Sequence, residues 1–565
     1  MFCRTSRTVT ILSTICNLFV FKSLNLKMKF FLGRYNYFFL LLLIFSISEI
    51  IVNPIGDFPL NDDWSYGKAL YYSITDTYTI GNFGAMTLFT HLIWGMLFVK
   101  IFGFSFTVLR ISTFVSVIIS MFFLDKLIFK ITKNKMTAFL SCLVLLLNPL
   151  YFNLSNTYMT DVNFNTLLIL SCYCAFSFFE TRQFLFLFLF FTCSVFLVLL
   201  RQFGVIVPFC FTMACLFLKE KKVLWFLISC MGFLFVYLSL SRYEQYLKTI
   251  LPTESAYKFS SGVHFTDKNF WNLFFYNFKE RYKILLVQLC IYIAPIAIFY
   301  LFSLTKSFKV YVTMIVLFLN VLFVYWFFKE VRFPYHNVFE NIWLGPETFH
   351  ESINSAPHNS SLIFTSIATV VKFLFTSITC STLSFYILSL VRTGKTIPSR
   401  VFAPKIIFLT AFLFAYSFMI FITESYFDRY YIPLLTVALI LMTFIGKIYT
   451  GNFKPASLLL LCFFYVSVFG TKDYLCWNRI RWEAYSYLKE KKQASAANVN
   501  GGFELNCWND LKNTWWSDYF SMGNFDYLIQ FKNEQGFRLL KEYEFQRYFP
   551  YKKDKINIFV KEAKD

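Results

Sequence analysis

The sequence predicts a polytopic α-helical membrane protein, about 13 spans long, with a small α/β extracytoplasmic domain at its C-terminus. The 565 residues are 57% hydrophobic and 15% charged, with a mean hydropathy of +0.55. A soluble chain of this size needs more polar residues to cover its surface. Runs such as YFFLLLLIFSISEIIV and FLFLFLFFTCSVFLVLL approach the roughly 20 residues of a membrane-crossing helix. Such runs stop before Thr471, and the tail that follows has a different pattern.

The basic residues predict the orientation of these spans. The net charge of +21 collects between the apolar runs, and loops rich in Lys and Arg stay in the cytoplasm and meet anionic headgroups. We therefore expect membrane lipids, and no nucleic acid, as the partners of this charge. The clusters are Arg34; Lys126, Lys130, Lys133 and Lys135; Lys219, Lys221 and Lys222; Lys306 and Lys309; Arg392, Lys395, Arg400 and Lys405; and Lys447 and Lys454.

Charge parity decides which of the early apolar stretches crosses. Three stretches, near 35–53, 87–103 and 108–124, separate Arg34 from Lys126. An even number of crossings is needed if both ends are cytoplasmic. Residues 87–103 are short and carry His91 and Lys100, so we predict that they form an interfacial helix on the outer face. The remaining predicted spans lie near 137–153, 162–179, 184–200, 203–218, 223–240, 283–303, 310–328, 362–391, 406–422, 431–446 and 455–470.

This pattern divides the chain into three parts. Residues 1–33 form a cytoplasmic N-terminus, in which residues 1–27 are either a signal-like piece or, as we favour, a misassigned start before Met28. Residues 34–470 form the transmembrane domain. Residues 471–565 form the extracytoplasmic domain, with a helix marked by Trp477, Ile480, Ala484 and Leu488, and with strand-like runs FDYLIQF and KINIFVKE.

Six charged residues are predicted to collect at the outer ends of the spans. They are Asp62, Asp63, Asp161, Arg201, Asp428 and Arg429. Charges near the hydrocarbon region cost free energy unless they are paired or functional, so the group predicts a polar cavity at the outer interface. Each of these acids also has a purely structural explanation. Asn61 could cap a helix that starts with Asp62 and Asp63, Thr160 could cap the helix of Asp161, and Asp428 could pair with Arg429.

Several of these segments resemble one enzyme family. NDDWSY is similar to the Asp-Glu/Asp-x-x-Tyr signature of polyprenyl-phosphate-sugar-dependent glycosyltransferases of the C superfamily, and the chain looks like their family 39, the relatives of protein O-mannosyltransferase and lipid A aminoarabinose transferase. LNPLYFNLSNTYMTDVNF resembles the second acidic motif. LLRQFGVIVP, YFDRYYIPLL and KDYLCWNRIRWEA are also similar to family segments. Asp63 stands where the family often has Glu, which leaves its role open.

The resemblance implies an inverting transfer in the inner membrane of a cell. A sugar would pass by direct displacement from a polyprenyl-phosphate donor to an acceptor hydroxyl on a glycan, lipid or protein at the outer, periplasmic face. Asp62 would act as base, with Asp161 as a second acid that positions the acceptor or a metal, and with Asp63 as a further catalytic candidate. Tyr66 lies one helical turn after Asp62. Tyr66 would bind substrate, as would Arg201, Arg429, Asp428 and Tyr430, and the arginines or a divalent metal would neutralise the leaving phosphate.

Other functional classes remain open at this stage. A membrane polysaccharide polymerase or ligase also uses lipid-linked sugars at the outer face, and a lipid or sugar transporter is a third class, although transporters place more charge at mid-membrane. All five histidines are predicted outside, but their spacing is not that of a metal site. The 14 cysteines lie mostly in apolar runs, and Cys476 could pair with Cys507.

Overall fold

A computed structural model describes most of the chain. The described residues are 36–75, 86–250, 268–331, 333, 338, 362–393, 399–423, 426–447, 449–509, 525–531, 535–549 and 551–562. The predicted N-terminal part therefore lies outside the described residues, as do parts of the segments 241–282 and 329–361, which the sequence places on the outer side between predicted spans.

The fold is largely helical, and its helices match the predicted apolar runs. The first nine are α1 (Asn36–Val52), α2 (Asp63–Thr75), α3 (Phe89–Phe102), α4 (Phe106–Thr132), α5 (Lys135–Leu146), α6 (Pro149–Ser155), α7 (Thr160–Thr181), α8 (Phe184–Val198) and α9 (Ile206–Cys215). In the described part of the chain nine more follow: α10 (Lys222–Ile250), α11 (Lys268–Thr305), α12 (Val310–Phe328), α13 (Leu362–Thr393), α14 (Ser399–Ile422), α15 (Ile432–Met442), α16 (Phe453–Phe464), α17 (Gly470–Lys491) and α18 (Phe503–Asn509).

These helices are compatible with a protein that crosses a membrane many times. Within the described residues, nine helices are long and apolar enough to span, or ten if the bent pair α5–α6 is one span. Helices α1, α3 and α8 and the segment Gln202–Cys215 are apolar but shorter. The 14 residues of α3 fall below the roughly 20 needed for a crossing, in keeping with the predicted interfacial helix. The count of 13 spans and the orientation stay predictions.

One predicted span, near 137–153, is broken. Helices α5 and α6 meet at an angle of 68°. Pro149 has no N–H to continue the first helix, and the Asn148 side chain instead caps the second by accepting from the N–H groups of Leu150 and Tyr151. The bend carries the chain into the buried segment that leads to Asp161.

Ion pairs fasten both ends of α7, which is largely buried within the bundle. At its C-terminal end Glu180 lies 3.0 Å from Lys130 and 2.6 Å from Lys405. Charge patterning had assigned these two lysines, from distant loops, to the same side of the membrane. At its N-terminal end Asp161 pairs with Arg201. The cytoplasmic and outer clusters that the sequence predicts thus lie at opposite ends of one helix.

The C-terminal region begins inside a continuous helix. A π-helical segment, Tyr465–Phe469, joins α16 to α17, so the predicted boundary at Thr471 falls within one helical run that ends at Lys491. Trp477, Ala484 and Leu488 are buried, as their helical spacing predicts, whereas Ile480 is only partly buried.

A four-stranded sheet follows, in the order β1-β2-β4-β3. The β1–β2 pair is parallel and the other two pairs are antiparallel. Asp473 anchors the β3–β4 hairpin to α17 by accepting from the N–H groups of Tyr548 at 2.6 Å and Phe549 at 2.8 Å. Cys476 and Cys507 do not form a disulfide with each other. The strands are β1 (Val499–Asn500), β2 (Tyr527–Gln530), β3 (Phe537–Tyr548) and β4 (Tyr551–Lys561).

Labelling tests the predicted orientation. Lys133 lies at the exposed end of α4 and Lys553 is exposed on β4. With a cysteine at each position in turn, in a background without other reactive thiols, we expect a membrane-impermeant maleimide to label position 553 from outside and position 133 only after the membrane is opened. Labelling of both positions in intact cells would contradict the assignment.

Candidate active site

Four chain segments bring charged side chains together at the predicted outer face. Asp62 lies directly before α2, Asp161 in the first turn of α7, Arg201 just after α8, and Arg429 in the 3₁₀ turn that precedes α15. Arg429 interacts electrostatically with both Asp62 and Asp161, and Arg201 interacts with Asp161 and Arg429. We call these four residues, together with Tyr66, the charged cluster.

Asp161 and Arg201 form the closed half of the charged cluster. Arg201 Nη2 lies 2.8 Å from Asp161 Oδ1, and the side chains are only 6% and 1% exposed. Arg201 Nε also donates to Thr160 Oγ1 at 2.7 Å. The residue before α7 is Met159, and Thr160 is already helical, so the predicted cap by Thr160 is wrong. The Thr160 hydroxyl instead holds the arginine that neutralises Asp161.

Asp62 and Arg429 form the open half. Arg429 Nη2 lies 2.8 Å from Asp62 Oδ2, with the Asp62 side chain 28% exposed and that of Arg429 only 4%. The structural alternative, in which Arg429 pairs with its neighbour Asp428, is therefore wrong. Asp428 is fully buried and accepts from the Val338 N–H at 3.1 Å.

Arg429 keeps two donors that the described residues do not use. Its guanidinium lies over the rings of Phe427 and Tyr430, at 4.8 and 5.8 Å. Within the described part of the chain, its buried Nε and Nη1 atoms have no hydrogen-bond partner. Buried donors usually have partners, so this arginine is suited to an additional anionic ligand.

Tyr66 connects the two halves. Its buried side chain interacts electrostatically with Asp62, Asp161, Arg201 and Arg429. Burial raises the pKa of Tyr66 above its ordinary value, so the phenol remains protonated and can donate a hydrogen bond. Helical spacing predicted that Tyr66 lies beside Asp62. In this position Tyr66 interacts with all four charged residues of the cluster.

Asp63 has a different environment from Asp62. It is fully buried, and its carboxylate accepts from the N–H of Tyr158 at 2.9 Å and from that of Leu60 at 3.4 Å. This geometry favours a structural role in which Asp63 joins the start of α2 to the segment before α7. Helix α2 begins at Asp63 rather than Asp62, and Asn61 adopts the left-handed conformation with φ of 54°, so Asn61 is not the predicted cap.

The buried environment of Asp63 predicts a pH effect on stability. Burial raises its pKa from an ordinary value of 3.8 to about 7, against the lowering effects of the Tyr158 hydrogen bond and of Arg110. Between these values the folded protein holds a proton that the unfolded chain has lost. Asp63 therefore contributes stability that is lost as pH rises from about 4 to about 7, by at most about 1.4 kcal/mol per pH unit.

Asp63→Asn isolates this effect, because Asn is neutral throughout the range. We expect the unfolding temperature of the wild type, relative to that of the Asn variant, to fall as pH rises through this range, measured on detergent-solubilised protein. A difference that stays constant across pH would contradict the buried, proton-binding Asp63.

His91 is held as a neutral structural residue. Its Nε2 donates to the Tyr158 carbonyl at 3.1 Å, and its Nδ1 accepts from Asn163 Nδ2 at 2.9 Å. Both ring nitrogens are engaged, so His91 is not arranged as a metal ligand. The other four histidines, His264, His336, His350 and His358, lie outside the described residues.

The described residues do not form a metal-binding set. Among them, no group of three or more His, Cys, Asp or Glu side chains is close enough to hold a metal ion. Asp62 and Asp161 are each paired with an arginine, which supplies the positive charge that a metal would bring. We therefore derive no step through a metal.

Two further arginines, which the sequence analysis did not select, hold the backbone of the segment before Asp62. Arg110 donates to the carbonyls of Pro54 and Gly56 at 2.9 and 2.8 Å, and Arg479 donates to that of Asn53 at 2.9 Å. Arg110 interrupts an otherwise apolar run, a signal that could have identified it. Arg479 lies in a polar helix and gives no such signal.

Comparison with known proteins adds no support to the resemblance to glycosyltransferases. The chain matches no family model, no curated protein and no solved structure.

Proposed function

We propose that this chain is an integral-membrane glycosyltransferase, which moves a sugar from a polyprenyl-phosphate donor to an acceptor hydroxyl at the outer face of the membrane. One observation carries the proposal. The acids and arginines of four separate segments that resemble this enzyme family meet in one cluster, where a partly exposed carboxylate lies beside a buried arginine with unused donors. Helix ends that were only structural would not need to converge in this way.

The chemistry fits the two halves of the charged cluster. In the proposed reaction the acceptor oxygen attacks the anomeric carbon, and the bond from that carbon to the phosphate oxygen breaks. The acceptor proton passes to Asp62, whose side chain is the more exposed of the two paired acids. The phosphate leaves with the electron pair of the broken bond and is stabilised by Arg429.

In this proposal Asp161 and Arg201 do not contact the substrate directly. Because their pair is almost completely buried, their role is to position Tyr66 and to balance the charges of the cluster. This revises the role of the second acid, which the resemblance had placed in contact with the acceptor or a metal. Removing one partner of a buried pair leaves an uncompensated charge and is strongly destabilising.

Donor cleavage tests the proposed function. Purified protein would be incubated with a panel of polyprenyl-phosphate hexoses and pentoses and with a cell-envelope glycan and glycolipid extract as the acceptor source. We expect polyprenyl phosphate to be released in step with sugar transferred to the extract. Movement of intact lipid-linked sugar without cleavage would indicate a transporter, and growth of a glycan chain on the lipid would indicate a polymerase. Either result, or no cleavage by folded protein across the panel, would contradict the proposal.

A further inference from the structure

The segment that carries Asp62 is held from outside the transmembrane bundle. We call residues 53–62, which connect α1 to α2, the Asp62 loop. Arg479, on α17, donates from Nη2 to the carbonyls of Asn53 at 2.9 Å and Ile55 at 3.0 Å. The C-terminal region therefore holds the beginning of this loop directly.

A carboxylate from the same region holds the other end of the loop. Glu504, on α18, accepts from the backbone N–H of Asn61 at 3.3 Å, through Oε1. The Tyr474 hydroxyl donates to the same oxygen at 3.4 Å. The second oxygen of Glu504 lies 2.9 Å from Nη1 of Arg481, whose side chain is completely buried. Glu504 is thus fixed by α17 while it contacts the residue before Asp62.

Aromatic packing supports this contact. The Trp508 ring, also on α18, lies edge-on to Phe106 at 4.9 Å and parallel to Phe104 at 6.1 Å. Gly67 of α2 faces the same rings, and a Cβ there would lie 2.9 Å from Phe106 and 3.7 Å from Trp508. Helix α18 therefore packs against α2 close to Asp62, and a Cβ at position 67 would be too close to the Phe106 ring unless that ring moved.

We propose that the C-terminal region is part of the active site, with Glu504 as a positioning residue that sets the direction of Asp62. This inference rests on the proposed function for its catalytic consequence. Asn61 has a left-handed backbone, with φ of 54°, a conformation that few residues other than glycine adopt. The hydrogen bond to Glu504 holds the N–H of that residue, and the next residue along the chain is Asp62, directed toward Arg429.

The alternative is that Glu504 and Arg481 only stabilise the C-terminal region. A purely structural pair would affect the stability of α17 and α18 but not the Asp62 loop or the turnover of folded protein. The two possibilities therefore differ in the local dynamics of residues 53–62, which can be measured without any substrate.

Hydrogen exchange of the full-length protein tests the inference. Glu504→Ala removes the acceptor, whereas Glu504→Gln keeps one acceptor oxygen but loses the charge that faces Arg481. We expect amides of the Asp62 loop to exchange about tenfold faster in the Ala variant, the effect of losing one hydrogen bond, with a smaller increase in the Gln variant. Glu542→Gln, which removes an exposed carboxylate on β3, is the matched control and should leave the loop unchanged.

Kinetics provide the second measurement. Because Arg429 is untouched, Glu504→Gln should lower kcat while the KM for the polyprenyl-phosphate sugar stays close to that of the wild type. Unchanged exchange of the loop in folded Glu504→Ala and Glu504→Gln variants would overturn the positioning role whatever the activity. Faster exchange in a protein whose wild type cleaves no donor would support the contact and overturn the proposed function instead.

Discussion

Asp62→Asn should lower the turnover of sugar transfer by about 10²–10⁴-fold, the usual contribution of a general base. Asn has nearly the same size as Asp and retains an oxygen that can accept a hydrogen bond from Arg429, but it cannot take a proton from the acceptor. Because Asn also removes the charge that faces the buried guanidinium of Arg429, we expect some loss of stability as well. The measurement is kcat for polyprenyl phosphate release at equal amounts of folded protein.

A matched control lies in the same loop. Asp57 is exposed and accepts from the Phe106 N–H at 2.8 Å, a bond that Asn can also accept. Asp57→Asn removes one negative charge a few residues from Asp62 and should retain nearly full activity. Equal turnover in the wild type, Asp57→Asn and Asp62→Asn proteins would exclude Asp62 as the base.

Arg429→Ala should weaken donor binding by about 10- to 100-fold, the range expected for losing hydrogen bonds to a charged group. The physical reason is the pair of buried donors, Nε and Nη1, that the described residues leave without a partner. Arg429→Lys keeps the positive charge but replaces the planar group with a single ammonium, so it should weaken binding less than Ala. Binding of polyprenyl phosphate itself, the proposed product, measures this effect independently of turnover.

The control for Arg429 is Arg242. It is exposed near the end of α10, where it donates to Gln245 Oε1 at 3.3 Å. Arg242→Ala removes the same charge away from the charged cluster and should bind polyprenyl phosphate like the wild type. If the Arg429 and Arg242 variants bind equally well, the phosphate partner must be sought elsewhere, for example at Arg201.

Much of the fold follows from hydropathy. Apolar runs of sufficient length predict helices regardless of their partners, so the run near 310–328 coincides with α12. The break between α5 and α6 was missed because the run through Asn148 and Pro149 is otherwise apolar. Strand β3 was also missed, since its sequence, FRLLKEYEFQRY, carries many charges and does not alternate clearly between apolar and polar residues.

The residues of the charged cluster could be predicted from the sequence, but the pairs that they form could not. Charge parity and the acidic motifs identified Asp62, Asp161, Arg201 and Arg429, because charges beside apolar spans are conspicuous. Sequence proximity suggested Asp428 as the partner of Arg429, whereas the structure pairs Arg429 with Asp62, far away along the chain. Glu504 was missed because its partner, the Asn61 N–H, lies 443 residues away, and a polar tail offers no pattern for such a contact.

A structure determined with polyprenyl phosphate bound tests the central claim most directly, because it needs neither the sugar nor the acceptor to be known. Cryo-electron microscopy of the protein in lipid nanodiscs, at saturating polyprenyl phosphate, should reveal phosphate oxygens within about 3 Å of Arg429 Nε or Nη1, with Asp62 at the edge of the same cavity. Phosphate bound at another place, with Arg429 still in contact only with Asp62, would contradict the account.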